Sequence, residues 1–244
     1  LALTRVHARI AFLDLFRSPG YVVPTVLFPA MFFVLFDLPY ARAHAAVADF
    51  LMLSFMAWAV IGVCLYQFGV GIAQERGRPW ERYLRTLPAG VPVRFGARIL
   101  TALAFGVMAA LCVATVACIF SHVDLGVVAW LRVLASMLLG GVPFVLIGIT
   151  IGYWASARAA IPIATALNLL LAYAGGLWMP PSDLPGFVQQ ISPYLPTRMF
   201  AELLWSVPHD GDALQPIIGL AIYAAIFGAL AVMGYRRDER KRYA

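Results

Sequence analysis

The sequence predicts an all-α integral membrane protein of six transmembrane helices with both chain ends on the cytoplasmic side. Three observations lead there. Of 244 residues, 62% are hydrophobic and only 12% charged, against about 25% charged in a soluble domain. Six apolar runs, 20–38, 50–74, 97–120, 127–153, 160–179 and 214–235, are each near the roughly 20 residues that a helix needs to cross the hydrocarbon core. The basic residues divide unevenly between the loops joining these runs. So few charges cannot cover a water-facing surface of this size, which argues against a soluble enzyme, a disordered chain or a disulfide-rich secreted module. The short loops leave no room for a large soluble domain, so 1–244 is read as one transmembrane domain.

Residues 1–19 precede the first span. Val6, Ile10 and Leu13 share a helical face that Arg9 flanks and Arg17 interrupts, as in a weakly amphipathic interfacial segment whose arginines snorkel to headgroups. The first span follows Arg17-Ser18-Pro19. Arg5, Arg9 and Arg17, an apolar stretch and Ala41-Arg42-Ala43 imitate a secretory signal, but Tyr21–Leu38 is longer than the usual apolar core of one and contains Pro24 and Pro29; it is read as a span. In the second span Gln67, Gly71 and Gln74 align on one face.

Residues 75–96 form the largest internal loop. Pro79 suits the first position of a helix and Glu81 its first turn, while Pro88 restrains Leu87 and ends it. Trp80, Tyr83, Leu84 and Leu87 recur at helical spacing on one face, and Arg78, Arg82 and Arg85 on another. The result is a short amphipathic helix at the inner surface, either seated among headgroups or docked in a groove of a cytoplasmic partner.

In the fourth span Gly148-x-x-x-Gly152 permits close helix approach and reads as packing. Arg132, just inside its outer edge, either snorkels or pairs with Asp124. In the fifth span Thr165, Asn168, Ala172 and Gly175 share a face. An amide in hydrocarbon needs a partner, so this face meets protein or a pathway. Tyr173 is among several aromatic residues that can contact an amphipathic molecule or simply lipid. The outer segment 180–212 predicts two short amphipathic helices: one capped by Asp183 with Leu184, Phe187, Val188 and Ile191 on one face, and one after Pro196 with Met199, Phe200, Leu203 and Leu204 on one face. They lie on the outer leaflet or half re-enter it, as a gate or as a cap. The sixth span ends in Arg236, Arg237, Arg240, Lys241 and Arg242.

With the N-terminus inside, fifteen of the eighteen Arg and Lys residues fall on the inner side; only Arg42, Arg132 and Arg198 fall outside. The excess of inner basic charge gives both ends a cytoplasmic position.

Some chemistry is excluded. The one lysine, Lys241, is followed by Arg242 and lacks the preceding glycines of a phosphate-binding loop, so this chain is not itself a P-loop ATPase. His7, His44, His122 and His209 all lie outside the spans, which removes an intramembrane Ser-His dyad. Cys64, Cys112 and Cys118 sit in apolar runs without metal-ligand spacing and read as packing residues. Asp37, Asp49, Asp124 and Asp183 lie at span edges or in loops, which weighs against an ion-coupled carrier with a midplane carboxylate. No catalytic or metal-ligating residue is assigned.

The run Glu75-Arg76-Gly77-Arg78-Pro79-Trp80-Glu81-Arg82-Tyr83-Leu84-Arg85-Thr86-Leu87-Pro88 resembles the cytoplasmic signature of type-2 ABC exporter permeases at Glu75, Gly77, Glu81, Leu84 and Pro88. Gly77 and Glu81 stand four residues apart, where the commonest form has three. Gly175-Gly176-Leu177-Trp178-Met179-Pro180, then Leu184-Pro185 and Pro193-Tyr194-Leu195-Pro196, resemble the outer segment of the same family. The resemblance implies the membrane half of an ATP-binding cassette transporter in a bacterial inner membrane. A separate ATPase subunit, carrying ATP and Mg, would bind at Glu75, Gly77, Trp80, Glu81, Leu84, Arg85 and Pro88. A second permease copy or a paralogous permease would complete the pathway, with membrane lipids around it and no nucleic acid. Gln67, Thr165, Asn168 and Tyr173 are the candidate pathway residues, and Pro180, Leu184, Pro185 and Pro196 the candidate outer gate. The substrate class is hydrophobic or amphipathic, drug-like or lipid-like. An ion-coupled secondary transporter, or a non-transporting assembly or immunity subunit, stands as the alternative.

Overall fold

The computed structural model describes residues 2–76, 91–209 and 211–243. Among the described residues six helices are long and apolar enough to cross a membrane, and they fall on the six apolar runs. After a leading helix α1 (Ala2–Phe16) come α2 (Pro19–Ala43) and α3 (Val47–Arg76), α4 (Val91–Phe120), α5 (Val127–Trp154) and α6 (Ala157–Ala174). Two short helices, α7 (Gly186–Ile191) and α8 (Pro196–Trp205), precede the last, α9 (Leu214–Tyr243).

The bundle is organised around α3. Over its most apolar stretch 83% is buried, against 17–44% for the other five spans. The reason is in the sequence: from Phe50 to Tyr66 the only hydroxyls among the apolar and aromatic residues are those of Ser54 and Tyr66, and a stretch without a polar face belongs inside. Phe55, Met52, Leu53, Ile61, Leu65 and Phe68 are all but fully enclosed. The helices α2, α4, α5, α6 and α8 pack around it, and α9 lies against α5.

Prolines shape α2. Pro24, Pro29 and Pro39 each remove a backbone donor, and the helix continues through two π-helical stretches, Val23–Leu27 and Phe33–Asp37. Such local rewinding re-satisfies backbone groups that hydrocarbon would leave stranded. A third π-helical stretch, Leu65–Val70, lies in α3, opposite Gly148 and Gly152 of α5. A Cβ on Gly148 would stand 2.8 Å from the Cys64 carbonyl, and one on Gly152 would stand 2.7 Å from the Phe68 carbonyl. The glycine pair is therefore a packing surface for α3.

The structure departs from the sequence reading in three places. The fifth span ends at Ala174 rather than 179, because Gly176 takes a positive φ of 76° and turns the chain, a conformation open to glycine without a Cβ penalty. Asp183 does not cap α7. It sits in a 3-10 turn, Pro181–Asp183, and accepts the Ser182 hydroxyl at 3.0 Å, while Pro185 occupies the cap position. The start of α7 is held instead by Gln189, whose amide reaches back to the carbonyls of Ser182 (2.7 Å) and Leu184 (2.8 Å). Leu184 and Val188 are buried, but Phe187 (70% exposed) and Ile191 (54% exposed) point away, so the four do not form one buried face. The helix is only six residues long, and the chain enters it extended at Leu184, which removes that residue from the helical register.

Helix α1 is two-sided. Val6, Ile10 and Leu13 are exposed together, as the shared face predicts. Its other side packs along α4, with the Phe12 ring 4.9 Å from that of Phe105.

Candidate functional site

The basic end of the bundle, where α3, α5 and α9 finish and α4 begins, gathers charges that the sequence scatters. Arg76 ends α3. Its guanidinium donates to the carbonyls of Tyr153 (2.8 Å) and Ala155 (3.0 Å) at the end of α5, and to Asp238 of α9 (2.9 Å). It also lies over the Tyr153 ring at 5.6 Å. The last carbonyls of a helix lack intrahelical partners and carry partial negative charge, so a cation there is favourable twice over. The planar fork of arginine spreads five donors over two terminal nitrogens and Nε and so spans these three separated acceptors, whereas lysine offers its three donors from a single nitrogen. The pair is mostly enclosed, with Arg76 21% and Asp238 17% exposed.

Beside it, Glu75 pairs with Arg98 of α4, which also reaches the Gln67 carbonyl. This ion pair bridges the two helices that flank residues 77–90. On the other side, Arg237 stacks over Trp154 at 5.2 Å, and the Trp154 indole donates to the Leu230 carbonyl at 3.1 Å. A polar recess of about 250 Å³ lies between Arg76, Tyr153, Trp154, Ser156, Arg237 and Asp238. In the sequence Arg76 stands only as an inner basic residue of the signature run. The local hint of a partner is the pair of acids, Asp238 and Glu239, within a basic run.

Of the predicted coupling residues, Glu75 is placed by this cluster. Gly77, Trp80, Glu81, Leu84, Arg85 and Pro88 lie outside the described residues.

The predicted pathway set divides. Thr165 and Asn168 both face α3: Tyr66 and Thr165 share a hydrogen bond of 2.8 Å, and Asn168 rests against Gly62, with its amide nitrogen 3.5 Å from where a Cβ would stand. The Asn168 carbonyl oxygen is buried with no hydrogen-bond partner among the described residues. Gln67 is buried on another side of α3, beside Tyr21 of α2. Tyr173, five residues beyond Asn168, stands about 140° further round α6. A Tyr66→Phe/Thr165→Val double-mutant cycle is expected to give a coupling of about 0.6 kcal/mol, the scale of interhelical hydrogen bonds in membranes. Unfolding midpoints of the four proteins in detergent measure it, and a zero or repulsive coupling contradicts it.

At the opposite end, α8 is enclosed by α3, α5, α6 and α9. Thr197, Phe200, Ala201, Leu203 and Leu204 are buried; of the predicted face Met199, Phe200, Leu203 and Leu204, Met199 is half-buried and the other three are enclosed. The Thr197 hydroxyl donates to the Leu171 carbonyl at 2.8 Å, and the Trp205 indole to Ser54 at 2.9 Å. Phe200 fills a notch at Gly140, where a Cβ would come within 2.0 Å of its ring. Of the four candidate gate residues, Leu184 and Pro196 are buried, Pro180 is half-buried and Pro185 is exposed. At this end Arg42 donates to the Phe120 carbonyl at 2.8 Å and so caps the end of α4.

A model of the family described as ABC-2 type transporter matches residues 3–207. A Bacillus subtilis (strain 168) protein named "Putative transport permease YvfS" is 26% identical over 230 residues, covering 91% of this chain and 93% of that one. No solved structure matches the chain.

Proposed function

Because the chain belongs to the ABC-2 type transporter family, whose members are membrane permeases, we propose that it couples ATP hydrolysis by a separate subunit to export of a hydrophobic or amphipathic, drug-like or lipid-like substrate. The observation that carries the coupling step is the tie at the basic end. Residues 77–90 follow Arg76 directly and join α4 at Val91, about two turns before Arg98. Arg76 fastens α3 to α5 and α9, and Glu75 fastens α3 to α4. A displacement applied to 77–90 is therefore delivered to four spans together.

In this reading both ends are cytoplasmic, in a bacterial inner membrane, and the basic end faces the ATPase. The ATPase binds ATP and Mg and docks on the helix around Trp80, Glu81, Leu84 and Arg85, with Gly77 and Pro88 at its ends. A second permease, identical or paralogous, completes the pathway. Thr165 and Asn168 are its favoured polar contacts, because an unpaired buried amide oxygen in hydrocarbon has an unmet donor requirement. Residues 180–207 re-enter the outer leaflet around α8 and gate the exit through Pro180, Leu184, Pro185 and Pro196.

Co-expression with the ATP-binding cassette subunit of the same organism tests the assignment. Leu84→Asp is expected to abolish co-purification of the ATPase and ATP-driven efflux, while the permease still elutes as a folded species. Binding and efflux that survive both Leu84→Asp and Glu81→Lys would remove the docking role. Transport by the purified chain on an ion gradient without ATP would favour a secondary transporter instead.

A further inference from the structure

Helices α4 and α5 are consecutive and antiparallel, joined by residues 121–126, and each packs closely on α3. They scarcely touch each other. The gap between them is a slot of about 280 Å³ whose floor is α3. Val63 and Phe68 of the floor are enclosed, while the rims, Leu103 and Val107 on one side and Leu138 and Val142 on the other, are open to the surroundings. The lining is apolar throughout; the Cys64 thiol is turned to the Gly141 carbonyl at 3.8 Å.

We propose that this slot is a binding site for one acyl chain of a bilayer phospholipid. Its dimensions select the occupant. The α4 wall runs from Ile99 to Val107 and the α5 wall from Leu134 to Leu146, which at the helical rise is about 12 Å and about 18 Å. Allowing for the radius of a water-sized sphere, about 1.4 Å, 280 Å³ over those lengths corresponds to a channel about 7–8 Å wide, narrower than a helix with its side chains, about 10–12 Å across. A single file of methylenes, about 4 Å across at carbon contact distance, fits. Water is disfavoured, since an apolar cavity of about half this volume stays dry and takes an apolar guest.

The slot also ends at the right level. Ile99 adjoins Arg98 in the charged layer at the basic end, and Val107 lies near the middle of the span Gly96–Phe120. A lipid whose headgroup sits in that charged layer has its tail alongside the slot. The driving force is dispersion contact, because lipid outside is as apolar as the slot and only the better fit distinguishes them. The site requires only that the bundle lie in a bilayer; it is independent of coupling and of export.

The test is photolabelling of the full chain in vesicles of phosphatidylethanolamine and phosphatidylglycerol, with a trace of phosphatidylethanolamine carrying a mid-chain diazirine. Adducts on Phe68, Leu103 and Met137 are expected severalfold above those on Ile218 and Ile222, which are exposed on α9. Gly106→Phe should remove the excess and leave the α9 adducts unchanged. A Cβ at Gly106 meets only Val60, at 4.0 Å, so the ring grows into the slot rather than into packed atoms. Val142→Trp, at the rim, is the second variant should the first not fold. Equal labelling of slot and α9 would overturn the site, as would an excess that both fillers leave intact. So would efficient disulfide cross-linking of Leu138→Cys between two copies, which would make the slot an interface.

Discussion

Gly152→Leu is expected to leave no stably folded bundle. A Cβ there would stand 2.7 Å from the Phe68 carbonyl oxygen and equally close to the Ile72 Cβ. Neither is the free end of a flexible side chain, so no rotamer change makes room. Helix α5 would have to lift off α3 along the whole π-helical stretch Leu65–Val70, taking with it the contact at Gly148. Overpacking a well-packed site costs about 1–3 kcal/mol and occasionally more, and a backbone clash at the central helix belongs at or above the top of that range. The measurement is the melting midpoint and elution profile in detergent, and a midpoint equal to wild type would sink the idea. Gly228→Ala is the matched control: its Cβ meets only Leu146, at an ordinary 3.8 Å, and it should be near neutral.

Arg76→Ala is expected to be the most damaging single change at the basic end. It takes the guanidinium away from Asp238 and from two carbonyls at the end of α5. Removing one partner of a fully buried, isolated pair costs about 3–5 kcal/mol; this pair is partly exposed and Asp238 has a further partner, so the expectation lies below that range, at about 2 kcal/mol. Arg76→Lys should recover part of the loss, since it restores charge but not the fork. Asp238→Asn should cost least, because both carbonyl contacts of Arg76 survive. Thermal unfolding of the three variants gives the order directly; an Asp238→Asn as harmful as Arg76→Ala would show that the ion pair, not the carbonyl capping, holds the end together. On the proposed coupling, Arg76→Ala should retain ATPase binding and lose efflux, because residues 77–90 are unaltered while the tie of Arg76 to α5 and α9 is gone.

Much of the architecture was legible because its causes are local. A span is a requirement on length and polarity, and each of the six apolar runs meets it without reference to the others. The packing role of Gly148 and Gly152 was legible because two missing side chains one turn apart make a flat strip wherever the helix goes. The buried face of α8 was legible from Phe200, Leu203 and Leu204. What covers that face was not, since the pattern states that a face is apolar and is silent about whether α3, α5 or lipid meets it. The predicted face of α7 misled because Leu184 precedes the helix and helical spacing does not apply to it.

The sequence by itself determined the solvent, the number of spans, the family and the absence of a phosphate-binding loop, since composition and short motifs carry all four. Tertiary structure alone decided which span lies at the centre, that Thr165 and Asn168 meet α3 while Gln67 turns to α2, and that α4 and α5 stand apart over a slot. It also joined Arg76 to an aspartate 162 residues away. The physical reason is that such contacts depend on how whole helices are rotated and spaced against one another. That is settled by steric fit over the entire bundle, and no local spacing of residues records it.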